Sequence, residues 1–216
     1  TDSRYTLHRA ALVPLLHRPG TELPIVLPAT IRELGEPAFA EFVLAQGLAP
    51  LWHEQLASGV KDPFSGDFQQ KLKAERFNAT AAYMLQKHGL ATIRQILDQR
   101  AIAHVVFKGA HFRELIYDQP ALRVAADIDL LVRPEDRDAT VAAFCQAGFT
   151  ASTKPISISH ELTLTKGYLS IDLHWDILRP GRTRIPLTGE FIQQRKDYQS
   201  HWGPSPEATL FLMLVH

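Results

Sequence analysis

The stretch AADIDLLV, residues 125–132, carries two aspartates one residue apart in an otherwise apolar run. Side chains on a strand alternate between faces. Asp127 and Asp129 therefore share one face, and Ile128, Leu130 and Val132 share the other. The run LSIDLHW, residues 169–175, repeats the pattern, with Ser170, Asp172 and His174 on one side and Ile171, Leu173 and Trp175 on the other. Residues two apart on a strand are roughly 7 Å apart at Cα. Carboxylates at that spacing can lean onto one hard cation, or bridge two cations about 4 Å apart. Mg²⁺ prefers oxygen ligands and phosphate partners. If the two runs are neighbours in one sheet, Asp172 joins the pair and completes a two-metal site for phosphoryl transfer. The plain alternative is three polar residues on a wet sheet face, and Asp176 competes with Asp172 for the third position.

Other residues carry weaker signals. Lys108 sits before Gly109 where a strand runs into a helix, a place for a phosphate-binding cation or for an ordinary surface lysine. Arg123 precedes the acidic strand and could touch phosphate or pair with an acid. His174 shares the Asp172 face and reads first as a structural histidine. His160 and His174 could join a His/Asp metal site, but their spacing specifies none. Cys145 and Trp175 read as packing residues. A second D-x-D, at Asp136 and Asp138, falls at a helix start, where residues two apart point to different sides. It reads as charge opposing the helix dipole.

The elements that must position these residues fall into two patterns, dividing near residue 101. Before it the chain reads as helical, with breaks at Pro37 and around Gly47 and Pro50. Residues 60–67 read as a loop. Asp67 and Gln70 resemble a capping box opening a long helix. Phe68, Leu72, Leu90, Ile93 and Leu97 keep helical spacing in it, and Gly89 is a weak point where it could kink. After residue 101 strands and helices alternate: strand 101–107, helix 108–117, strand 127–132, a helix from Pro134 to Gly148, and a hairpin turning at or near Lys166-Gly167. At 205–216, Ser205 and Pro206 open a strongly apolar helix. Such a helix needs a partner, so further helices are expected beyond His216. This gives a helical portion over 1–100, an α/β core over 101–200 and the start of a C-terminal helical portion over 201–216.

Composition narrows the classes. The 216 residues are 45% hydrophobic and 21% charged, ordinary for a soluble domain. Lys+Arg and Asp+Glu both number 23, which disfavours long nucleic acid as a partner. One cysteine excludes an internal disulfide framework and fits a reducing cytosol, so a cytoplasmic protein is expected. No apolar run approaches a membrane span and the first residues do not read as a signal peptide. P-loop, Rossmann and nucleophile-elbow motifs are absent.

The segments FKGAHFRELIY, ALRVAADIDLLVRPED, AGF and SIDLHW together resemble a bacterial family of uncharacterised nucleotidyltransferases, within the superfamily of DNA polymerase beta and the CCA-adding enzymes. The similarity runs from about residue 30 to the end. It implies an α+β fold, a nucleotidyltransferase-like mixed sheet with helices on one face after a helical N-terminal portion. It implies an NTP donor, Mg²⁺ or Mn²⁺, and an acidic pair at Asp127 and Asp129 with a third acid at Asp172. The acceptor, a small molecule, peptide or protein side chain, is left open. The superfamily usually has Gly-Ser at the helix start; here it is Lys108-Gly109-Ala110, so Lys108 and the free N–H groups of the helix start would hold the phosphates. A non-catalytic nucleotide- or partner-binding protein and a metal-dependent phosphohydrolase would use the same residues.

Overall fold

The computed structural model describes residues 3–16, 31, 33, 35–57, 64–152, 161–178 and 185–215. His160 lies outside them, as do residues 60–63 of the loop expected over 60–67, whose last two residues, Gly66 and Asp67, open a helix. The chain forms two compact units, one of residues 1–82 with 119–124, the other of 83–118 with 125–216. The change of pattern near residue 101 is thus not where the compact units part. They part inside a helix.

The first unit is helical. Helices α1 (Ser3–Ala11), α2 (Val13–Leu16), α3 (Glu36–Ala45) and α4 (Ala49–Ala57) precede α5 (Gly66–Asp98), whose first half belongs to this unit. The breaks fall where the sequence places them. Pro37 sits in the first turn of α3, which lacks partners for its N–H groups anyway, and Gly47, at φ +64°, turns the chain before α4. Phe39, Trp52, Phe64, Phe68 and Leu72 form the core, and Trp52 Nε1 donates to Ala11 O at 3.0 Å. The cap of α5 is Ser65 rather than Asp67. Its Oγ accepts from Phe68 N at 3.4 Å, while its own backbone N–H and hydroxyl bond the Glu36 carboxylate.

The second unit is a mixed sheet with helices. Its strands are β1 (His104–Phe107), β2 (Ile128–Val132), β3 (Thr150–Ala151), β4 (Glu161–Lys166) and β5 (Leu169–His174), in the order β1-β2-β5-β4-β3. Strands β2 and β5 are parallel and every other pairing is antiparallel. Helix α6 (Lys108–Ile116) follows β1, and α7 (Arg137–Gln146) follows β2. Ile128, Leu130, Val132, Ile171 and Leu173 pack one face against Leu90, Ile93 and Leu97 of α5 and Phe144 of α7. This is the apolar face read from the alternation. Helix α5 runs unbroken through Gly89. A Cβ there would stand 2.4 Å from Leu169 Cδ2, so the glycine admits the sheet instead of kinking the helix.

The other face is not simply open. Val105, Phe107 and Leu131 lie under Ile177 after β5, under Phe191 and Ile192 of α8 (Thr188–Gln193), and under Leu212 of α9 (Pro206–Val215). Ser205 caps α9 as expected, its Oγ accepting from Ala208 N at 3.2 Å. Strands β6 (Lys196–Asp197) and β7 (Trp202–Gly203) form a separate small ribbon. Two packing assignments are corrected. Cys145 is exposed, because the buried stripe of α7 is Thr140, Ala143 and Phe144. Trp175 is half-buried, with the Arg137 guanidinium 4.4 Å over its ring.

Candidate functional site

Register assembles the site. Phe107 pairs with Asp129, Asp129 with Asp172, and Asp172 with Thr163, a single row across β1, β2, β5 and β4. Paired residues in adjacent strands point to the same face, so Asp129 and Asp172 stand side by side. The next row, Val105, Leu131, His174 and Glu161, lies on the same face one step along. On this face α8 and α9 cover Val105, Phe107 and Leu131 of β1 and β2, while Asp172 and Thr163 of β5 and β4 stay half-buried. Asp127 sits in the bend just before β2, two residues from Asp129. Buried Gln86 of α5 fixes that bend, donating to Asp127 O at 3.0 Å and to Ala125 O at 3.4 Å.

The three acids differ in environment. Asp129 is 7% exposed, and its Oδ1 accepts from Lys108 Nζ at 2.9 Å and His174 Nε2 at 3.0 Å. An ionised carboxylate only accepts, so His174 carries its proton on Nε2. Burial alone would raise the Asp129 pKa, but the hydrogen bonds from His174 and Lys108 and their charge outweigh it, and the net shift is downward. Asp127 shifts upward, first through burial and then through the charges of Asp129 and Asp172. The mutual repulsion of the acidic cluster thus falls on Asp127. Asp172 is half-buried and its Oδ1 accepts from Thr163 Oγ1 at 2.9 Å.

The remaining candidates separate clearly. Asp176 is no substitute for Asp172: its Oδ1 caps the following turn, accepting from Ile177 N at 2.8 Å and Thr188 Oγ1 at 3.2 Å. Lys108 stands at the junction of β1 and α6 with φ +51°, a left-handed conformation uncommon for a side chain of its size. Its ammonium lies on Asp129, one step along from Phe107, which pairs with that aspartate. Gly109 is not forced by close approach, since a Cβ there would meet only Ala125 Cβ at 3.5 Å. Arg123 is exposed at the end of the 3-10 turn Pro120–Leu122 in the first unit, so the second unit does not itself bring it to the acids. Asp138 is exposed at the start of α7, as its D-x-D setting implies.

Sequence reading underrated three residues: His174, Thr163 and Gln86. His174 had a signal, its position on the Asp172 face. Thr163 and Gln86 had none, because each depends on a pairing or a helix approach that alternation does not encode.

The donor set suits a hard divalent cation in kind, since three carboxylates offer oxygen alone. As placed, they do not form a finished cage: among the described residues no three His, Cys, Asp or Glu side chains are arranged to hold a metal ion. The first partners of Asp129 and Asp172 are Lys108, His174 and Thr163. In all, the geometry offers acids on the two central parallel strands, half-buried at Asp172, and a lysine at a helix start beside them.

Comparison with curated proteins and with solved structures returns no match. A family model does match, over residues 33–216, and the chain belongs to the uncharacterised nucleotidyltransferase family.

Proposed function

We propose that the protein transfers a nucleotidyl group from an NTP to an acceptor and releases pyrophosphate, with Asp127, Asp129 and Asp172 as ligands of Mg²⁺ or Mn²⁺. The observation that carries this reading is the in-register pair Asp129–Asp172, with Asp127 near enough for both charges to raise its pKa. A bound divalent cation would neutralise charge on the phosphates and lower the pKa of the attacking hydroxyl. Asp172 would also take the acceptor hydroxyl's proton as that oxygen bonds to the α-phosphorus and pyrophosphate leaves. Lys108 and the unpaired N–H groups at the start of α6 hold the triphosphate. The acceptor is a small molecule, a peptide or a protein side chain; the balanced charge disfavours long nucleic acid.

A second reading is a non-catalytic nucleotide-binding protein on this fold. Lys-Gly-Ala in place of Gly-Ser favours it, as does an Asp129 already engaged by Lys108. Incubation with NTP labelled at the α-phosphate, Mg²⁺ and cell extract separates the readings. Pyrophosphate release with label on an acceptor supports transfer. Free phosphate alone would make the protein a phosphohydrolase, and binding without turnover would favour the second reading. Among the described residues no helix is long and apolar enough to cross a membrane.

A further inference from the structure

Two donors meet at one atom of the acidic row, and they differ in freedom. Asp129 Oδ1 accepts from His174 Nε2 at 3.0 Å and from Lys108 Nζ at 2.9 Å. The His174 side chain is 1% exposed, lies edge-on to the Phe107 ring at 5.1 Å, and keeps Nδ1 3.6 Å from Glu161 Oε2. It is held on several sides. The Lys108 side chain is 27% exposed, a flexible stem carrying a compact charge at the mouth of α6. Its charge also reaches Asp127. The ammonium therefore sits on the Asp129 oxygen that a cation would need, and reaches Asp127 through its charge alone.

We propose that Lys108 is the resident counter-ion of this cluster and that it excludes a divalent cation from Asp129 until nucleotide arrives. The phosphates draw Lys108 off Asp129, the cation takes its place, and nucleotide and cation binding become coupled. By linkage the coupling is reciprocal: the cation favours nucleotide as much as nucleotide favours the cation. His174 is a positioning residue that keeps the carboxylate aimed while its other partner changes. The proposal rests on the nucleotidyltransferase reading of the site.

The test is calorimetric titration of Mn²⁺ into the protein, alone and with a non-hydrolysable NTP analogue. Mn²⁺ alone should bind Lys108→Met about tenfold more tightly than wild type, on the scale of ordinary coupling between sites. Lys108→Arg, which keeps the charge, should stay near wild type. The gain in Mn²⁺ affinity on adding the analogue should be smaller in Lys108→Met. His174→Phe should lose Mn²⁺ affinity by about tenfold, the scale for a residue that orients a metal ligand, and His174→Gln should recover part of it by restoring a donor. Equal or weaker Mn²⁺ binding by Lys108→Met, with wild type binding Mn²⁺ through Asp129, overturns the exchange and leaves the nucleotidyltransferase reading standing. No Mn²⁺ binding by wild type with or without the analogue, or full affinity in Asp129→Asn, overturns both.

Discussion

Asp127, in the bend before β2, and Asp129, on the strand, differ from the expectation of one shared strand face and differ also in their electrostatics. The twin aspartates read from the sequence as equal and mutually repelling. Lys108 and His174 make Asp129 the favoured anion and leave the repulsion with Asp127. Removing charge from the two should therefore have opposite effects on the metal-free protein. The folded pKa of Asp127 lies above its ordinary 3.8, so its penalty appears as pH rises through that raised value and vanishes below 3.8. Asp127→Asn should melt higher than wild type at neutral pH and converge with it in strong acid, a trend that calorimetric melting against pH will read. Asp129→Asn loses its ion pair and gains no such relief. For Lys108, replacement by Ala should weaken NTP binding by about 1–3 kcal/mol, the scale of a charge-assisted hydrogen bond. Unchanged affinity in a correctly folded variant would return Lys108 to the role of a turn residue.

At the scale of elements, alternation carried much of the information. The i, i+2 pattern put Ile128, Leu130 and Val132 in the core and Asp129 with Asp172 on the opposite face, because a strand has only two faces. It also placed the turn at Gly167, whose φ of +58° suits a residue without a Cβ. What alternation cannot state is depth along a face. Asp129 and Asp172 stand side by side in one row, yet α8 and α9 cover the β1 and β2 end of that face, where Phe107 and Leu131 lie, and Asp172 and Thr163 on β5 and β4 stay half-buried. Neither could the sequence foresee Gly89, where helix propensity argued for a weak point and tertiary packing used the missing Cβ to seat Leu169. Gly203 on β7 is a similar case. A Cβ there would stand 2.5 Å from the buried His111 ring and 2.9 Å from Tyr198. Gly203→Ala should cost about 1–3 kcal/mol, as overpacking does, measured by denaturant unfolding.

For the molecule as a whole, a second pH-sensitive cluster lies outside the acidic row. His111 and His201 share a hydrogen bond of 3.0 Å, closed at its ends by Thr209 at 3.1 Å and Ser200 at 3.0 Å. Burial lowers the pKa of His111 to about 4. Burial, with the charges of His111, Arg113 and Arg94, lowers that of His201 to about 3. Both are neutral when folded and take protons below about 6.5 when unfolded. Stability should therefore fall as pH drops from 6.5 towards 4, by up to about 1.4 kcal/mol per pH unit for each histidine. His201→Gln should flatten that slope, and an unchanged slope would assign the acid sensitivity elsewhere. The zero net charge of the chain predicts no strong salt-dependent attraction to polyanions.

The central claim is that Asp127, Asp129 and Asp172 form a cation-dependent nucleotide site. Its most direct measurement is the melting temperature with Mg²⁺ and a non-hydrolysable NTP together, in wild type and in Asp129→Asn. A ligand bound only by the folded state stabilises by mass action, which at about 100 times its Kd corresponds to roughly 5–10 °C for a chain of this size. Wild type should show that rise, larger than the sum of the rises from Mg²⁺ and nucleotide alone, and Asp129→Asn should lose it while remaining folded. An Asp129→Asn protein with the full cation-dependent rise would contradict the account and leave these carboxylates as polar residues on one face of a sheet.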